Sequence, residues 1–235
     1  KRAVTECEDA IRRHPGTFGA ALCAALLADI RHPALEILAE QVVLPGKPAL
    51  LSLSYKNVSK VWAKVVAMPG DPDHFNQIEW QNRLTFLNGL PALQQRSWEV
   101  TNPGDYRQHR TEIKLDALPA GHYYVLVSTS ETFASANQIV SFAPFTCSNL
   151  TGITYQDAGD TRFVVAHRES GSPLAGVRGD FFSYKWNNNE RKNVRQFIGQ
   201  STSDQNGFLS FQAPENTGFS VRLSQTGDTL WLDSH

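Results

Sequence analysis

At 235 residues the chain has room for two domains of about 100 residues each and a short extra element. Hydrophobic residues make up 41% and charged residues 19%, which excludes a disordered, charge-rich polypeptide. A formal net charge of −1 argues against the basic footprint of a nucleic-acid binder. No apolar run approaches the roughly 20 residues that a membrane-spanning helix needs.

The chain opens with a predicted helical pair over residues 2–13 and 17–31. Ala3, Cys7, Ala10 and Ile11 recur at helical spacing, and His14-Pro15-Gly16 ends the first helix because proline lacks a donor and glycine tolerates left-handed dihedrals. Thr17 is placed to cap the second helix, an alanine-rich segment that His32-Pro33 breaks. β structure follows. Leu35–Val43 reads as one strand, and Ala49–Tyr55 alternates with Leu51, Leu53 and Tyr55 on one side. After a turn at Lys56-Asn57, Val61–Val66 sets Val61, Ala63 and Val65 against Trp62, Lys64 and Val66 on the opposite face. Residues 68–96 form a long polar connection with a short helix near 75–87. Trp98–Val100, His109–Leu115, His122–Ser128 and Asn137–Phe145 complete seven strands, the number of an immunoglobulin-like sandwich.

A second set of strands starts near residue 151: Thr161–His167, Arg178–Tyr184 or a little beyond, Arg195–Ser201, Gly207–Gln212, Gly218–Leu223 and Thr229–Leu232. Asp204-Gln-Asn-Gly207 reads as a tight hairpin connection. The expected fold is therefore mainly β: a helical hairpin over 1–33, an antiparallel sandwich over 34–150 and a second over 151–235. The chain begins at Lys1 without Met and ends at His235 just after a strand-like run, so both ends read as cuts in a longer polypeptide.

No catalytic group is legible. His14 and His32 stand beside prolines at helix ends, where a cation meets the negative end of the helix dipole. His122 and His167 fall within strands. His109 with Asp105 and a serine such as Ser128 could compose a triad, but no serine lies in Gly-x-Ser-x-Gly or at a strand-to-helix elbow. Asp204–Gly207 lacks the later glutamate and flanking helices of a calcium loop. Asp71-Pro-Asp73-His74 reads as a solvated loop rather than a metal site. No cofactor and no metal are expected. Trp80, Trp98, Tyr106, Tyr123, Tyr124, Trp186 and Trp231 could serve as platforms for sugar rings or as packing. The polar, aromatic stretch Tyr184–Glu190 is the first place to look for a sugar.

The three cysteines are Cys7, Cys23 and Cys147, too few for a disulfide scaffold and without zinc spacing. Folding the two helices antiparallel about Pro15 sets positions equidistant from that turn side by side. Cys7 and Cys23 are equidistant from it, which makes them a candidate disulfide. Packed helix axes lie about 8–10 Å apart, at the limit of what a disulfide can bridge. Two buried free thiols behaving as small apolar residues are the alternative.

Certain phrases carry a resemblance. Leu44-Pro-Gly-Lys-Pro48, an apolar strand and then Tyr55-Lys-Asn57 resemble the opening of a macroglobulin-type domain of bacterial alpha-2-macroglobulin-like proteins. Asp105–Ile113 followed by Leu118–Ser128 resembles the later hairpin of that domain. Gly171-Ser-Pro-Leu-Ala-Gly-Val177 and Ser203-Asp-Gln-Asn-Gly-Phe208 are similar to the frame of the next such domain, a frame that other sandwich modules share. The helical hairpin with Ile11-Arg-Arg-His-Pro15 is similar to the segment preceding these domains in Bacteroidetes versions. The resemblance implies a non-catalytic segment of a large exported protease trap, periplasmic or cell-envelope associated, with a lipid anchor conceivable on the whole protein. Its implied partners are neighbouring domains of the same chain and, through the whole protein, target proteases, with no nucleic acid. The family's thioester motif, Cys-x-x-Gln, is absent from the three cysteine contexts, so no functional residue carries over. The rival reading is a carbohydrate- or cell-surface-binding accessory sandwich.

Overall fold

The structure, a computed structural model, describes residues 1–71, 75–133, 139–157, 160–188, 191–212 and 218–233, with backbone alone for 155–157, 160–162 and 233. It is mainly β, with an N-terminal helical pair. The chain divides into two compact units. The first comprises Lys1–Gln41, Leu50–Asp116 and His122–Phe145; the second comprises Val42–Ala49, Ala117–Gly121 and Thr146–His235.

In the first unit, helices α1 (Arg2–Arg13) and α2 (Phe18–Arg31) form as the spacing predicts. Thr17 caps α2 by accepting from the Ala20 backbone N–H at 3.2 Å. Val4, Cys7 and Leu27 are buried between the helices, with Ile11, Cys23, Ile30 and Tyr106 packed around them. Asn57 carries the left-handed turn after the third strand, at φ 55°, and its amide donates to the Ile30 and His32 carbonyls at the end of α2. A two-helix hairpin is too short to persist alone, so these bonds and the Tyr106 contact tie it to the β structure.

Strands β1 (Ala34–Ala39), β3 (Ala49–Lys56) and β6 (His109–Leu115) make a three-stranded sheet. Strands β4 (Lys60–Ala67), β5 (Ala92–Glu99), β7 (Gly121–Ser128) and β8 (Val140–Cys147), with the short β2 (Val42–Val43), make a five-stranded sheet in the order β2-β8-β7-β4-β5. The reading of Leu35–Val43 as one strand is corrected. Ala34–Ala39 pairs antiparallel with β3, the chain leaves the ladder at Glu40-Gln41, and Val42–Val43 pairs parallel with Thr146–Cys147. The strand placed at Trp98–Val100 is the end of a longer one, β5, that starts at Ala92. Helix α3 (Trp80–Gly89) falls inside the connection where a helix near 75–87 was expected.

The alternation in β4 was a partial guide. Val61, Ala63 and Val65 are buried, yet so are Lys64 and Val66 on the opposite face. That face meets Leu87 of α3, Phe75 and Phe133, together with Tyr124 and Leu126 of β7. A sheet covered on both faces reads as a continuous apolar run, as β7 does from Tyr123 onward.

The second unit holds a three-stranded sheet, β13-β10-β9, and a four-stranded sheet, β12-β11-β14-β15. Its strands are β9 (Leu150–Asp157), β10 (Asp160–His167), β11 (Arg178–Asn187), β12 (Lys192–Thr202), β13 (Phe208–Phe211), β14 (Phe219–Gln225) and β15 (Asp228–Asp233). Leu150, Phe163, Val165, Val177, Phe181, Leu209, Phe219, Val221, Leu223 and Leu230 form its core. Phe181 stacks on Phe211 with ring centroids 3.8 Å apart.

Strand β9 escaped the sequence reading. Gly152 lies inside it, and a Cβ there would come within 2.6 Å of a Leu232 methyl. The glycine weakens the strand signal, and a side chain there would have to push the Leu232 methyl aside. The turn at Asp204–Gly207 forms: the Asp204 carboxylate accepts from the Asn206 and Phe208 backbone N–H groups at 2.9 Å, and Gly207 takes φ 77°. It is not a hairpin connection within one sheet, however. Strand β12 before it lies in the four-stranded sheet, while β13 after it pairs with β10, so the turn carries the chain from one sheet to the other.

Candidate functional site

The described histidines lie at helix ends and in strands. His14 and His32 are the C-cap residues of α1 and α2, with backbone N–H groups bonded to the Ala10 and Ala28 carbonyls. His122 lies in β7 and His167 in β10. His109 at the start of β6 does meet Asp105, Nε2 to Oδ1 at 2.9 Å. The Asp105 carboxyl is held below its ordinary value by the Arg107 backbone N–H and then by His109. Ser128 does not supply the third member of that triad. Ser128 is fully buried in β7, in the other sheet, and its hydroxyl accepts from the Ser130 N–H at 3.0 Å. His109 packs instead beside the Tyr55 ring, centroids 5.9 Å apart.

Among the described residues no three His, Cys, Asp or Glu side chains cluster as metal ligands. Pro72, Asp73 and His74, the core of the weak metal motif, lie outside the described residues. Cys7 and Cys23 pack into one apolar cluster at the α1–α2 interface as free thiols. Burial and then the neighbouring Cys23 push the Cys7 thiol up. Cys147 is buried apart from them, and burial, reinforced by the Asp228 charge, pushes its thiol up to about 11.

The aromatic candidates separate by environment. Tyr123 and Tyr124 are buried, and burial pushes the Tyr124 phenol up to about 12. Trp98, Tyr106 and Trp231 are half-buried. Trp80 and Trp186 are exposed. Trp186 belongs to an aromatic group that the sequence reading did not assemble.

That group is built on β11 and β12. Strand β14 pairs with β11 only from Arg178 to Ser183, whereas β12 stays paired to it as far as Asn187. Among the described residues no strand besides β12 pairs with β11 beyond Ser183. Alternation turns Phe181 and Ser183 inward and sets Asp180, Phe182, Tyr184 and Trp186 on the outer face. Across the ladder stand Phe197 opposite Phe182, Arg195 opposite Tyr184 and Asn193 opposite Trp186. Trp186 is 59% exposed, Phe197 53% and Tyr184 44%. A cleft of about 580 Å³ at the ribbon is lined by Lys185, Trp186, Asn187, Asn188, Val194, Arg195 and Gln196. The last two residues of the expected stretch, Asn189 and Glu190, lie outside the described residues.

A layered stack anchors the ribbon to the sheet. The Arg195 guanidinium lies 4.3 Å from the Trp231 ring centroid and 4.8 Å from that of Phe182. Arg222 approaches both rings at 5.7 Å and donates to Asp180 Oδ2 at 2.7 Å, while Arg178 Nε donates to Oδ1 at 2.7 Å. Burial alone would raise the Asp180 carboxyl, but the bonds from Arg222 and Arg178 outweigh it and hold it below the usual carboxylate range. Asp180 and Phe197 were not singled out in the sequence. Their signal was the shared parity of Asp180, Phe182, Tyr184 and Trp186, which sets a carboxylate in line with three aromatic rings.

No protein-family model and no curated protein matches the chain. Solved structures do. A native alpha-2-macroglobulin fragment from Escherichia coli spanning domains MG0-NIE-MG1 aligns with a TM-score of 0.62 at 18% identity, over 86% of this chain and 64% of that one. A shorter fragment of the same protein, spanning NIE-MG1, aligns with a TM-score of 0.58 at 18% identity, over 86% of this chain and 97% of that one. The chain thus has the fold of a bacterial alpha-2-macroglobulin segment, with macroglobulin-type β-sandwich units and a helical pair ahead of them. It spans less than two thirds of the length of the longer fragment.

Proposed function

We propose that the chain is a non-catalytic structural segment of a large exported alpha-2-macroglobulin-like protein that traps endopeptidases. The observation that carries this reading is the fold likeness over 86% of the chain, which takes in both β units. The dispersed histidines and the buried, engaged Ser128 support a non-catalytic role. In this reading the hairpin over 1–33 and the sandwiches over 34–150 and 151–235 act as spacers within the longer chain. Their partners are its neighbouring domains, and the whole protein meets the protease. No described helix is long and apolar enough to cross a membrane. Placement in the periplasm or cell envelope is part of the same proposal.

The test uses the full-length protein that carries this segment. After incubation with endopeptidases, trapped protease should keep its activity on small chromogenic peptides and lose it on protein substrates. Undiminished digestion of protein substrates across the panel overturns the reading. The segment itself should hydrolyse neither casein nor a simple aryl ester. Turnover that the His109→Ala change abolishes would make it an enzyme.

Export would place Cys7 and Cys23 in an oxidising compartment. There the facing thiols would close a disulfide, passing two electrons and two protons to an exchanging disulfide oxidant. Thiol titration of the exported protein, denatured without reductant, should find one free thiol, that of Cys147. Three free thiols would exclude the bond.

A further inference from the structure

We infer that the outer face of helix α2 pairs with the same face of a second copy of this chain, antiparallel about a two-fold axis that passes between residues 23 and 24. Nothing in this pairing depends on protease trapping.

Helix α2 carries no charged residue from Phe18 to Ala28. A helix that is apolar on every side is ordinarily covered on every side, yet α2 buries only the side it turns to α1. Ala20 and Leu27 are buried there, and Cys23 and Ile30 pack into the same cluster. Helical periodicity sets Phe18, Leu22, Ala25 and Asp29 along the opposite side, with Ala21 and Leu26 on its flanks. Phe18 is 80% exposed, more than any other large hydrophobic side chain among the described residues, and Leu22 and Leu26 are 56% and 46% exposed. An apolar face of this kind marks an interaction surface.

Size complementarity selects a second copy. Antiparallel about the proposed axis, residues equidistant from it stand opposite each other, and Leu22 faces Ala25 of the other copy. On the flanks, Leu26 lies nearest Gly19 of that copy, and Ala21 nearest its Ala28. Both leucines thus meet a small residue, which lets the helix axes close to about 8 Å. A parallel pair would set Phe18 on Phe18 and Ala25 on Ala25, overfilling one contact and leaving another empty.

Charge selects the same order. The one charged residue of the face, Asp29, comes opposite Phe18 of the other copy, beside its hairpin tip. At that tip Arg12 and Arg13 share the single carboxylate of Asp9, which leaves an excess of positive charge. Lys56 of the same chain bonds to the Asp29 backbone carbonyl. A parallel pair would place two Asp29 carboxylates side by side. A lipid surface fits less well, because helices that lie in one carry Lys and Arg along their polar side. The one cation of α2 is Arg31, which is paired to Glu8.

Covering Phe18, Leu22 and Leu26 hides roughly 400 Å² per copy, about half of what each partner gives to a standard interface. The pair is therefore weak, with a Kd of about 100 μM.

The test is sedimentation equilibrium of the 235-residue chain from about 10 μM to about 1 mM, with reductant to exclude intermolecular disulfides. The average mass should climb toward twice the monomer value. Leu22→Glu should weaken association about tenfold, Phe18→Ser about fivefold and Asp29→Lys about threefold, the last by setting a cation against the arginines of the other copy. All three side chains are exposed, so the variants should melt as the parent does, and a thermal scan is run beside each measurement. A parent that stays monomeric at about 1 mM overturns the inference, as does association unchanged in Leu22→Glu. Association unchanged or tightened in Asp29→Lys would refute the antiparallel order. A monomer that co-sediments with phosphatidylcholine–phosphatidylglycerol vesicles, and ceases to do so in Leu22→Glu, would make this a lipid-binding face instead.

Discussion

The two β units each bury a charge, and they do so in opposite ways. In the first, Lys64 of β4 lies on a sheet face that α3 covers. Its ammonium donates to the Asn88 carbonyl at 2.9 Å and to the Asn88 side-chain oxygen at 2.8 Å, with the Phe133 ring centroid 5.6 Å away. Asn88 lies at the end of α3, so the cation meets the negative pole of that helix and fixes helix to sheet. Among the described residues the second unit holds no helix, and a carboxylate does the joining. Asp180 links Arg178 on its own strand to Arg222 on β14. Neutral oxygens compensate Lys64 only in part, and burial lowers its pKa. Full charges compensate Asp180, and its pKa falls despite burial. A lone buried charge strains its site, whereas a paired one braces it.

The largest effect should come from breaking the pair. Asp180→Ala strands two guanidiniums against aromatic rings. Buried pairs broken this way cost about 3–5 kcal/mol, and the part-exposed arginines reduce that to about 2–3 kcal/mol here. Urea unfolding at pH 7 measures it, and a loss below about 1 kcal/mol would show that the bridge braces nothing. Because the folded pKa of Asp180 lies below the unfolded value, its contribution is complete above the unfolded pKa of about 3.9 and fades as pH falls through the folded one. The gap between parent and Asp180→Asn should therefore narrow below about pH 4. A gap that stays constant to pH 2 would assign the effect to packing rather than charge.

Lys64 should matter less, and its contribution also rises with pH, but in the alkaline range instead of the acid one. Lys64→Met removes an awkwardly buried cation but leaves the Asn88 oxygens without their donor, and the two effects nearly offset, for a net loss of about 1 kcal/mol at pH 7. A folded pKa below the unfolded one makes the lysine costly when charged, and that cost is relieved as pH rises through the folded value toward the unfolded one near 10.4. The parent should gain on Lys64→Met over that alkaline window. Comparing the two proteins cancels Tyr124, whose raised phenol pKa takes stability away as pH climbs above about 10. A gap that shrinks on the alkaline side would mean that Lys64 is not buried as a cation.

The same contrast explains what the sequence disclosed. Strands β3 and β7 announced themselves by alternating or continuous apolar residues, and the hairpin by His14-Pro15-Gly16. Lys64, by parity with Trp62 and Val66, read as the wet side of β4. Only the return of α3 across that face, with Leu87 fully buried, makes it an interior position. Helix α3 carries little amphipathic signal of its own, since residues such as Trp80, Arg83 and Phe86 make their apolar and cation–π contacts around its flank. Asp180 was invisible for a related reason. Its partner Arg222 lies 42 residues away, on a strand whose register follows only from the assembled sheet. The aromatic content of Tyr184–Glu190 was legible locally, whereas the exposure of Tyr184 and Trp186 was not.

The smallest effect separates the cysteines and leaves stability aside. Cys147 lies in the last positions of β8 and is almost fully covered, with its thiol raised to about 11 by burial and then by the Asp228 carboxylate. The thiolate is the reactive form. At pH 8 a thiol of ordinary pKa near 8.5 is about one quarter ionised, whereas one near 11 is ionised to about one part in a thousand. The rate difference from ionisation alone is thus about two orders of magnitude, before any screening by the covering side chains. Native protein treated with iodoacetamide at pH 8 should leave Cys147 unmodified long after an exposed cysteine peptide has reacted. Asp228→Asn should speed the reaction only modestly, because burial is the larger cause. If that substitution alone restored peptide-like reactivity, the Asp228 charge rather than burial would control this thiol.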